Sequence, residues 1–349
     1  MLSPVTPRQR AILDIIAGNH PLAISAIHGH LTPHVSIPTV NRDVAALVAF
    51  GYVTKNGSGR ATVYTLSRRY TLFAPIDVEA YFAAEPDQRS AMKGFNHDLL
   101  EILKREAIFT EDERRHLNSL RQEYRHNLAL LSPALYQKEL ERLTIELSWK
   151  SSQIEGNTYS LLETERLFVE QQAAKGKSPG ETTMILNHKA CLDFILEHNE
   201  IGQTLNLATL EQIHSLLISD LGVSRNLRSR TVGITGTTYQ PLDNPHQIKE
   251  ATELMCDIVN NRPCNFEKAL LAVCLISYIQ PFEDGNKRTD RMVSNALLIA
   301  DGACPLSYRS VDSLDYKKAM LLFYEQNNLA AFKQIFMQQI EFAVKTYFR

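Results

Sequence analysis

The sequence of 349 residues predicts a mainly helical protein with a small N-terminal domain and a larger helical domain. Its length and its 44% content of hydrophobic residues exceed what one core usually needs, so two or three folded units are expected. Apolar residues recur at helical spacing after residue 96, and the first 70 residues have a different charge balance from the rest. The predicted boundaries are 1–70 for the first domain, 71–95 for a linker and 96–349 for the helical domain.

The first domain begins with three predicted helices. Thr6 and Pro7 form a cap and first-turn signal, "PLAISAIHGHL" fits a second short helix, and a third follows Ser36. The stretches "YVTK" and "RATVYTL" then flank the turn "NGSG", which predicts a two-stranded hairpin. Three helices followed by a hairpin resemble a winged helix-turn-helix, a module that places its third helix in the DNA major groove.

A positive charge balance favours a polyanionic partner for this domain, because residues 1–70 contain seven Lys or Arg and two Asp. On the third helix, Thr39, Asn41 and Arg42 are predicted to face base edges. Lys55 and Arg60 flank the predicted wing, near phosphates. Winged helices also dock proteins or dimerise, so these roles stay open as alternatives to DNA binding.

Cysteine spacing and hydropathy exclude several classes of protein. The five cysteines share no C-x-x-C spacing and mostly have apolar neighbours, so neither a disulfide framework nor a zinc site is predicted. The apolar run "ALLAVCLISYI" is too short to span a bilayer, and "MLSPVTPRQR" does not resemble a signal peptide. We therefore expect a cytoplasmic protein without a membrane partner.

The helical domain contains two further recognisable segments. The stretch "SPALYQKELERLTIELSWKSSQIEGN" predicts a long helix over about 135–156 that stops at Gly156. The stretch "RTVGITGTTYQPL", residues 230–242, has β-branched residues around two glycines and predicts a small hairpin, here called the flap. Other helices are predicted at 181–199, 207–220, 246–261, 265–279, 287–300 and 312–347.

A charged turn, "QPFEDGNKRTDR", lies between two predicted helices. The start of a helix presents unpaired N–H groups and a positive dipole end, which favours anions. Gly285 permits close approach, and Lys287, Arg288 and Arg291 add positive charge. Asp284 beside a phosphate site is typical of Mg²⁺ binding. The spacing is not that of a Walker A loop. The pattern favours a nucleotide polyphosphate, and a capped helix start with an exposed basic face is the alternative.

Residues 280–291 resemble the signature of Fic domains, H-x-F-x-(D/E)-G-N-(G/K)-R-x-x-R. The first position departs from this pattern, since Gln280 replaces histidine. A second stretch, "SSQIEGN", is similar to the inhibitory motif (S/T)-x-x-x-E-(G/N), with Ser151 and Glu155 in register. The resemblance extends over roughly residues 95–347. The positions that match the Fic signature are Phe282, Asp284, Gly285, Asn286, Arg288 and Arg291.

The resemblance implies a helical enzyme that binds ATP with Mg²⁺ and transfers AMP to a Ser, Thr or Tyr hydroxyl of a target protein or of itself. It implies that Glu155 pairs with Arg291, displaces the γ phosphate and inhibits the enzyme. Ser151 and Gly156 complete this inhibitory motif. The implied site residues are Asp284 for the metal, Gly285, Asn286, Lys287 and Arg288 for phosphates, and Arg291 for the γ phosphate.

The flap occupies the position of the target-docking hairpin in Fic domains. Its implied docking residues are Gly236, Thr237, Thr238 and Tyr239, which would pair with an extended segment of the target. Pairing of Fic proteins and the reading of palindromic DNA by winged helices both fit a homodimer, and no heptad pattern specifies one.

Gln280 occupies the position of the catalytic base of the family, a histidine. An amide has no basic site near neutral pH, and the loss of a positioned base typically costs ~10²–10⁴ in rate. Three interpretations stay open. The protein is a nucleotide-responsive, DNA-binding transcriptional regulator with a catalytically inactive Fic domain, or a transferase that tolerates Gln280 or uses another base such as His246, or a protein in which Gln280 was introduced to silence it.

Overall fold

The computed structural model of the chain describes residues 5–19 and 21–349. Residues 1–4 and His20, which fall within the predicted winged helix-turn-helix, lie outside the described residues. The chain divides into two compact units. Unit 1 comprises Met1–Ile76 and Asn327–Ala330, and unit 2 comprises Asp77–Gln326 and Ala331–Arg349.

Unit 1 contains the predicted three helices and the hairpin. Thr6 caps the first helix through a capping box, in which its hydroxyl accepts from the Gln9 N–H and the Gln9 side chain accepts from the Thr6 N–H. The hairpin strands are antiparallel, with Val53 opposite Leu66. The described elements are α1 (Pro7–Gly18), α2 (Ile24–His30), α3 (Ile37–Ala49), β1 (Val53–Asn56), β2 (Val63–Leu66) and α4 (Arg68–Phe73).

The core of unit 1 contains the apolar stripe of each of its first three helices. The stripe of α3 consists of Val40, Val44 and Leu47, each at most 1% exposed. Between these residues, Asn41 and Arg42 are exposed, whereas Asp43 is buried and pairs with Arg8 Nε at 2.5 Å. The order of elements is the one predicted, and the identification of this unit as a winged helix-turn-helix stays a prediction.

Unit 2 consists of helices packed around one helix that is apolar on all sides. In this helix, α13, every residue except Asn265 and Lys268 is buried. The elements are α5 (Val78–Phe82), α6 (His97–Arg105), α7 (Glu111–Leu130), α8 (Pro133–Ile154), α9 (Leu161–Glu170), α10 (Pro179–Glu197), α11 (Leu207–Leu217), α12 (Pro245–Asn260), α13 (Asn265–Ile279), α14 (Asn286–Ala300), α15 (Ser313–Gln326) and α16 (Ala330–Thr346).

The predicted mainly helical fold class is confirmed by this architecture, and its small β-hairpin is the one formed by β1 and β2. Among the described residues, no helix is both long enough and apolar enough to cross a membrane. The predicted continuous helix over 312–347 is wrong, because the chain breaks between α15 and α16. Asn327 adopts a left-handed conformation there, with φ 48°, which a continuous right-handed helix does not accommodate.

The flap is not a hairpin, so the prediction of strands within residues 230–242 is wrong. Its one ladder contact in the described structure is an isolated parallel bridge between Gln240 and Gly94. The backbone groups that a hairpin uses across its own strands bond to other segments instead. The Gln240 N–H donates to the Lys93 carbonyl at 2.9 Å, and Arg228 donates to the carbonyls of Arg230 and Leu242.

Candidate active site

The charged turn forms a short loop, residues 280–285, between α13 and α14, and we call it the motif loop. Two residues with left-handed backbone bound it. Gln280, with φ 51° and ψ 62°, ends α13, and Gly285, with φ 80°, immediately precedes α14. Because α13 is buried and α14 packs against it, the loop is attached to the core of unit 2 at both ends. This attachment fixes the start of α14.

A cavity of about 250 Å³ adjoins the motif loop and the first turn of α14. Its walls come from the end of α8, from α10 and from the first half of the flap. The size and the mixed polar lining suit a small charged ligand or part of a larger one. The lining residues are Glu155, Met184, Val232, Gly233, Ile234, Thr235, Gln280, Glu283, Asp284, Gly285, Asn286, Lys287 and Arg288.

The Gln280 side chain is 7% exposed, and both of its polar atoms are hydrogen-bonded. Its Nε2 donates to the Ser277 carbonyl at 2.6 Å, and its Oε1 accepts from Asn286 Nδ2 at 3.0 Å. Asn286 also bonds both backbone groups of Phe282, at 2.9 and 2.8 Å. Gln280 and Asn286 therefore stabilise the loop conformation, and neither amide provides a base.

The ion pair between Glu155 and Arg291, predicted from the resemblance, is present. Arg291 is completely buried, and its Nη2 lies 2.9 Å from Glu155 Oε1. Ser151 holds the same guanidinium, because its hydroxyl accepts from Arg291 Nε at 2.9 Å and its carbonyl accepts from Nη2 at 3.0 Å. Burial by itself lowers the pKa of Arg291. The charges of Glu155, Tyr316 and Asp290 outweigh this effect and raise the pKa above its usual value.

Glu155 also faces Lys287. The Lys287 Nζ lies 3.8 Å from Glu155 Oε2, so the two carboxylate oxygens are oriented toward two different cations. Glu155 lines the cavity and Arg291 is not among the lining residues. The carboxylate thus lies between the cavity and the buried guanidinium. A ligand that reaches Arg291 from the cavity has to displace Glu155.

Arg288 and Asp284 form a second ion pair beside the cavity. Arg288 is 2% exposed, and its Nη2 donates to Asp284 Oδ2 at 3.1 Å while its Nη1 donates to the Leu217 carbonyl at 3.2 Å. Burial lowers the pKa of Arg288, and the charges of Asp284 and Glu155 oppose that effect. The Asp284 side chain is 69% exposed, so its carboxylate is accessible to an ion.

Asp284 fits the Mg²⁺ that Fic domains use. Mg²⁺ is usually held in proteins by one or two carboxylates together with water and the phosphate oxygens of a nucleotide. The accessible carboxylate of Asp284 lines a cavity beside the start of α14, where it would provide one such carboxylate ligand.

Gly285 lies where a side chain would be crowded. A Cβ atom at this position would lie 3.0 Å from Ile218 Cγ2, and 3.4 Å from both Arg288 Nη2 and His214 Nε2. The left-handed backbone also favours glycine there. This crowding and the left-handed backbone together explain why glycine occupies this position on the cavity wall.

Sequence analysis did not identify Arg228, which supports the motif loop and both ends of the flap. This side chain is 1% exposed, and its Nε donates to the Gln280 carbonyl at 2.6 Å. Its Nη1 donates to the Arg230 carbonyl at 2.8 Å, and its Nη2 to the Leu242 carbonyl. All these partners are backbone carbonyls, which leave no pattern in the sequence, so no sequence signal pointed to Arg228.

Two buried histidines also adjoin the site, and sequence analysis missed both. His214 stacks on Phe282 at 3.6 Å between ring centroids, and its Nε2 lies 3.0 Å from the Asp284 carbonyl. His188 Nε2 lies 2.8 Å from the Ser151 hydroxyl. Burial lowers the pKa of His214, and lowers that of His188 to about 3, so His188 is neutral at physiological pH. His246, considered as a substitute base, is exposed in the first turn of α12 and does not line the cavity.

The four docking residues predicted for the flap differ in burial. Tyr239 is 2% exposed, stacks on Tyr278 at 4.8 Å, and donates its hydroxyl to the Tyr278 carbonyl at 2.9 Å. Its side chain therefore belongs to the core, and its role in docking through the backbone stays a prediction. The Gly236 carbonyl accepts from Arg89, and the Thr237 hydroxyl accepts from the Tyr239 N–H. Thr238 is half-buried.

The predicted DNA-contacting residues all lie in unit 1. Asn41 and Arg42 are exposed on α3, and Lys55 on β1 and Arg60 in the turn between the strands are exposed as well. Thr39 is half-buried, and its hydroxyl bonds to Ser36 at 2.9 Å. The role of these residues in DNA binding stays a prediction.

Comparison with known proteins shows which family the part of the chain that contains this site resembles. The model of the Fic/DOC family matches residues 204–298, so this part of the chain is similar to Fic/DOC domains. The matched segment contains the flap and the motif loop, and Glu155 lies outside it.

Two curated relatives are protein adenylyltransferases. Protein adenylyltransferase fic-1 of Caenorhabditis elegans is 26% identical over 163 residues, which cover 44% of this chain and 31% of the relative. Protein adenylyltransferase Fic of Nematostella vectensis is 27% identical over 175 residues, which cover 48% of this chain and 40% of the relative. The matched region therefore spans less than half the length of these relatives.

Solved structures of Fic proteins share the fold. Fic-1 of Caenorhabditis elegans aligns over 97% of this chain and 96% of that chain, with a TM-score of 0.58 and 17% identity. A Fic family protein of Desulfovibrio desulfuricans G20 aligns over 68% of this chain and 74% of that chain, with a TM-score of 0.56 and 18% identity.

Proposed function

We propose that unit 2 binds ATP with Mg²⁺ in the cavity beside the motif loop and is a protein adenylyltransferase that Glu155 inhibits and Gln280 weakens. One observation carries the proposal. The start of α14 adjoins a cavity lined by Gly285, and the buried Arg288 and Arg291 guanidiniums pair with two carboxylates of its wall, those of Asp284 and Glu155. Backbone N–H groups and arginine forks are the donors that phosphates prefer in proteins.

Each residue of the motif has a distinct task in this proposal. Gly285, Asn286, Lys287 and Arg288 bind the α and β phosphates, and Asp284 holds the Mg²⁺. When bound, the ion neutralises part of the phosphate charge. Arg291 would bind the γ phosphate if Glu155 released the Arg291 guanidinium. Asn286 has a second task, since its bonds to Phe282 and Gln280 stabilise the loop.

The proposed transfer joins a target hydroxyl oxygen to the α phosphorus and breaks the bond between the α phosphorus and the bridging oxygen of the β phosphate. Pyrophosphate leaves. The hydroxyl proton has to go to a base, and Gln280 cannot accept it because its Oε1 is the oxygen of a neutral amide that already accepts from Asn286. The proton then passes to solvent, and positioning and charge supply most of the remaining acceleration.

Self-inhibition in this proposal is a competition for arginine. The Glu155 carboxylate occupies the Arg291 Nη2 donor and approaches Lys287. A γ phosphate in the same place would meet the negative charge of Glu155 and would lack its donors. ATP would therefore bind weakly, or with its terminal phosphate displaced, while Glu155 holds this position.

The first half of the flap is the part best suited to docking a target. Residues 231–235 alternate between exposed and half-buried, and the half-buried Val232 and Ile234 line the cavity. This period of two is the pattern of a strand, and an added strand from the target would pair with its backbone. Docking would bring a target hydroxyl to the same wall that borders the nucleotide.

ATP binding tests the proposal, with Gly285→Ala as the decisive variant. We expect calorimetry to detect Mg²⁺-dependent ATP binding by the wild-type protein and at least about a tenfold loss in Gly285→Ala, because the new methyl group crowds Ile218 and Arg288 and strains the left-handed backbone of the motif loop. Gly222→Ala is the matched control. Gly222 also has positive φ, 71°, but a methyl group there would meet none of the described residues beyond its chain neighbours within 4 Å. Absence of ATP binding in the wild type, or equal affinity in both variants, would contradict the proposal.

A second candidate function is that of a nucleotide-responsive, DNA-binding regulator. The observation that favours it is the group of exposed cations on unit 1, Arg42, Lys55 and Arg60. We expect duplex DNA to bind with an affinity that falls steeply as salt rises, since phosphate contacts release counterions. Arg42→Ala should weaken binding by about tenfold, within the ~1–3 kcal/mol of one base contact.

The control for this test is Arg10→Ala, which removes an exposed arginine from α1 of the same unit. An equal loss in both variants would indicate non-specific attraction rather than a contact by α3. Unchanged DNA binding in Arg42→Ala, or no binding by the wild type, would exclude the regulator as formulated.

A further inference from the structure

The segment that precedes α6 lies against the flap. We call residues 77–94 the support segment, which contains α5 and a short turn at Pro86–Gln88. It contacts the second half of the flap at two places. Arg89 Nη2 donates to the Gly236 carbonyl, and the Gln240 N–H donates to the Lys93 carbonyl at 2.9 Å. These two bonds hold the flap to a segment almost 150 residues away in sequence.

Arg89 is fixed by more than its bond to the flap. Its side chain is 4% exposed and forms an ion pair at 3.0 Å with Glu325, which is completely buried in α15. The other Glu325 oxygen accepts from the Tyr81 hydroxyl at 2.7 Å, and the Arg89 guanidinium lies 4.7 Å from the centre of the Phe82 ring. Arg89 and Glu325 are therefore held in this arrangement, because moving either side chain away would leave the other as a buried charge without a partner.

Gly236 is the residue at which the cavity wall ends. The four residues before it, Val232 to Thr235, line the cavity. Gly236 itself has φ 88°, and a Cβ there would lie 3.4 Å from Leu321 Cδ1 on α15. The chain therefore turns at Gly236 against α15, and the Arg89 bond holds this turn from the side of the support segment.

We propose that Arg89 is a positioning residue of the cavity, which fixes the flap wall through the Gly236 carbonyl. The support segment then determines where Val232 to Thr235 stand, and with them the width of the space between flap and motif loop. Arg228 fixes the two ends of the flap, at Arg230 and Leu242, and Arg89 fixes its turn. Without Arg89 the ends would stay in place while the wall between them gained freedom.

Hydrogen exchange of the flap tests this inference without any ligand. Arg89→Lys keeps a positive charge beside Glu325, but its side chain is one bond shorter, so its ammonium group should not reach both acceptors that Arg89 Nη2 now serves. We expect amides in peptides covering 230–240 to exchange about tenfold faster than in the wild type, while peptides of α13 keep their protection. Should Arg89→Lys fail to fold, Glu325→Gln, which removes the counter-charge and leaves Arg89 in place, is expected to accelerate exchange in the same peptides.

Arg262→Lys is the matched control. Arg262 is 6% exposed, forms a buried pair with Glu267 at 2.9 Å, and donates to the Leu103 carbonyl at 3.1 Å, so it resembles Arg89 without contacting the flap. This variant should leave exchange in 230–240 unchanged. Equal acceleration of the flap in both variants, or none in Arg89→Lys, would overturn the inference.

Calorimetry with ATP and Mg²⁺ on the same variants tests the effect on the cavity, and this measurement rests on the proposed function. We expect ATP binding to weaken several-fold in Arg89→Lys and to be unchanged in Arg262→Lys. Faster flap exchange with unchanged ATP affinity would overturn the positioning role. A wild-type protein that binds no ATP would instead overturn the proposed function, and hydrogen exchange alone would then decide whether Arg89 fixes the flap.

Discussion

Glu155→Gln is expected to bind ATP at least about tenfold more tightly than the wild type. The change keeps the length of the side chain and removes the charge that Arg291 and Lys287 now face. A γ phosphate would then meet two cations and no carboxylate, and a hydrogen bond to a charged group contributes about 1.5–3 kcal/mol. Calorimetry at constant Mg²⁺ gives the affinity, and α-labelled ATP shows whether self-modification rises with it.

Glu141→Gln makes the same chemical change on the same helix. Glu141 is exposed on α8 and does not line the cavity, so ATP affinity should equal that of the wild type. Equal ATP affinity in Glu155→Gln and the wild type would contradict inhibition by Glu155, even though the ion pair exists.

Gln280→His is expected to raise AMP transfer by ~10²–10⁴, the usual contribution of a positioned base. The Gln280 Nε2 now donates to the Ser277 carbonyl at 2.6 Å, and a histidine Nδ1–H can take over that bond. Its Nε2 would then be free to accept a proton. Single-turnover labelling, best measured in a Glu155→Gln background, gives the rate.

The pH profile distinguishes a base from a general improvement. Transfer by Gln280→His should rise with pH around the ordinary histidine pKa of about 6.5, since only neutral imidazole accepts a proton. Gln280→Asn, a second neutral amide, should transfer no faster than the wild type. Comparable transfer by the histidine, asparagine and wild-type proteins would show that the first motif position does not limit the reaction.

The sequence predicted those parts of the site whose causes are local. The apolar run of α13 and the glycine before α14 place the motif loop, because both features act within a few residues. The ion pair between Glu155 and Arg291 was predicted only from a motif resemblance, because the two residues lie 136 residues apart in sequence. Local sequence periodicity therefore could not predict that these two side chains are in contact.

The flap could not be predicted in the same way. Its β-branched residues indicate strands, but the conformation depends on Lys93, Arg89 and Tyr278, which belong to distant segments. Tyr239 illustrates the competition. Its ring gains more from burial against Tyr278 than from exposure on a hairpin, so tertiary packing overrides the local preference.

Three guanidiniums adjoin the motif loop, those of Arg228, Arg288 and Arg291, and each is at most 2% exposed. Arg228 bonds to carbonyls, and burial lowers its pKa as it lowers that of Arg288. Protein carboxylates therefore balance this buried charge only in part. Any polyanion that enters the cavity supplies the missing counter-charge. By thermodynamic linkage, the polyanion raises the free energy of unfolding, and the increase is larger the more tightly it binds. Occupancy of the site should thus be visible in the melting temperature of unit 2, whether or not a bond is ever made or broken there.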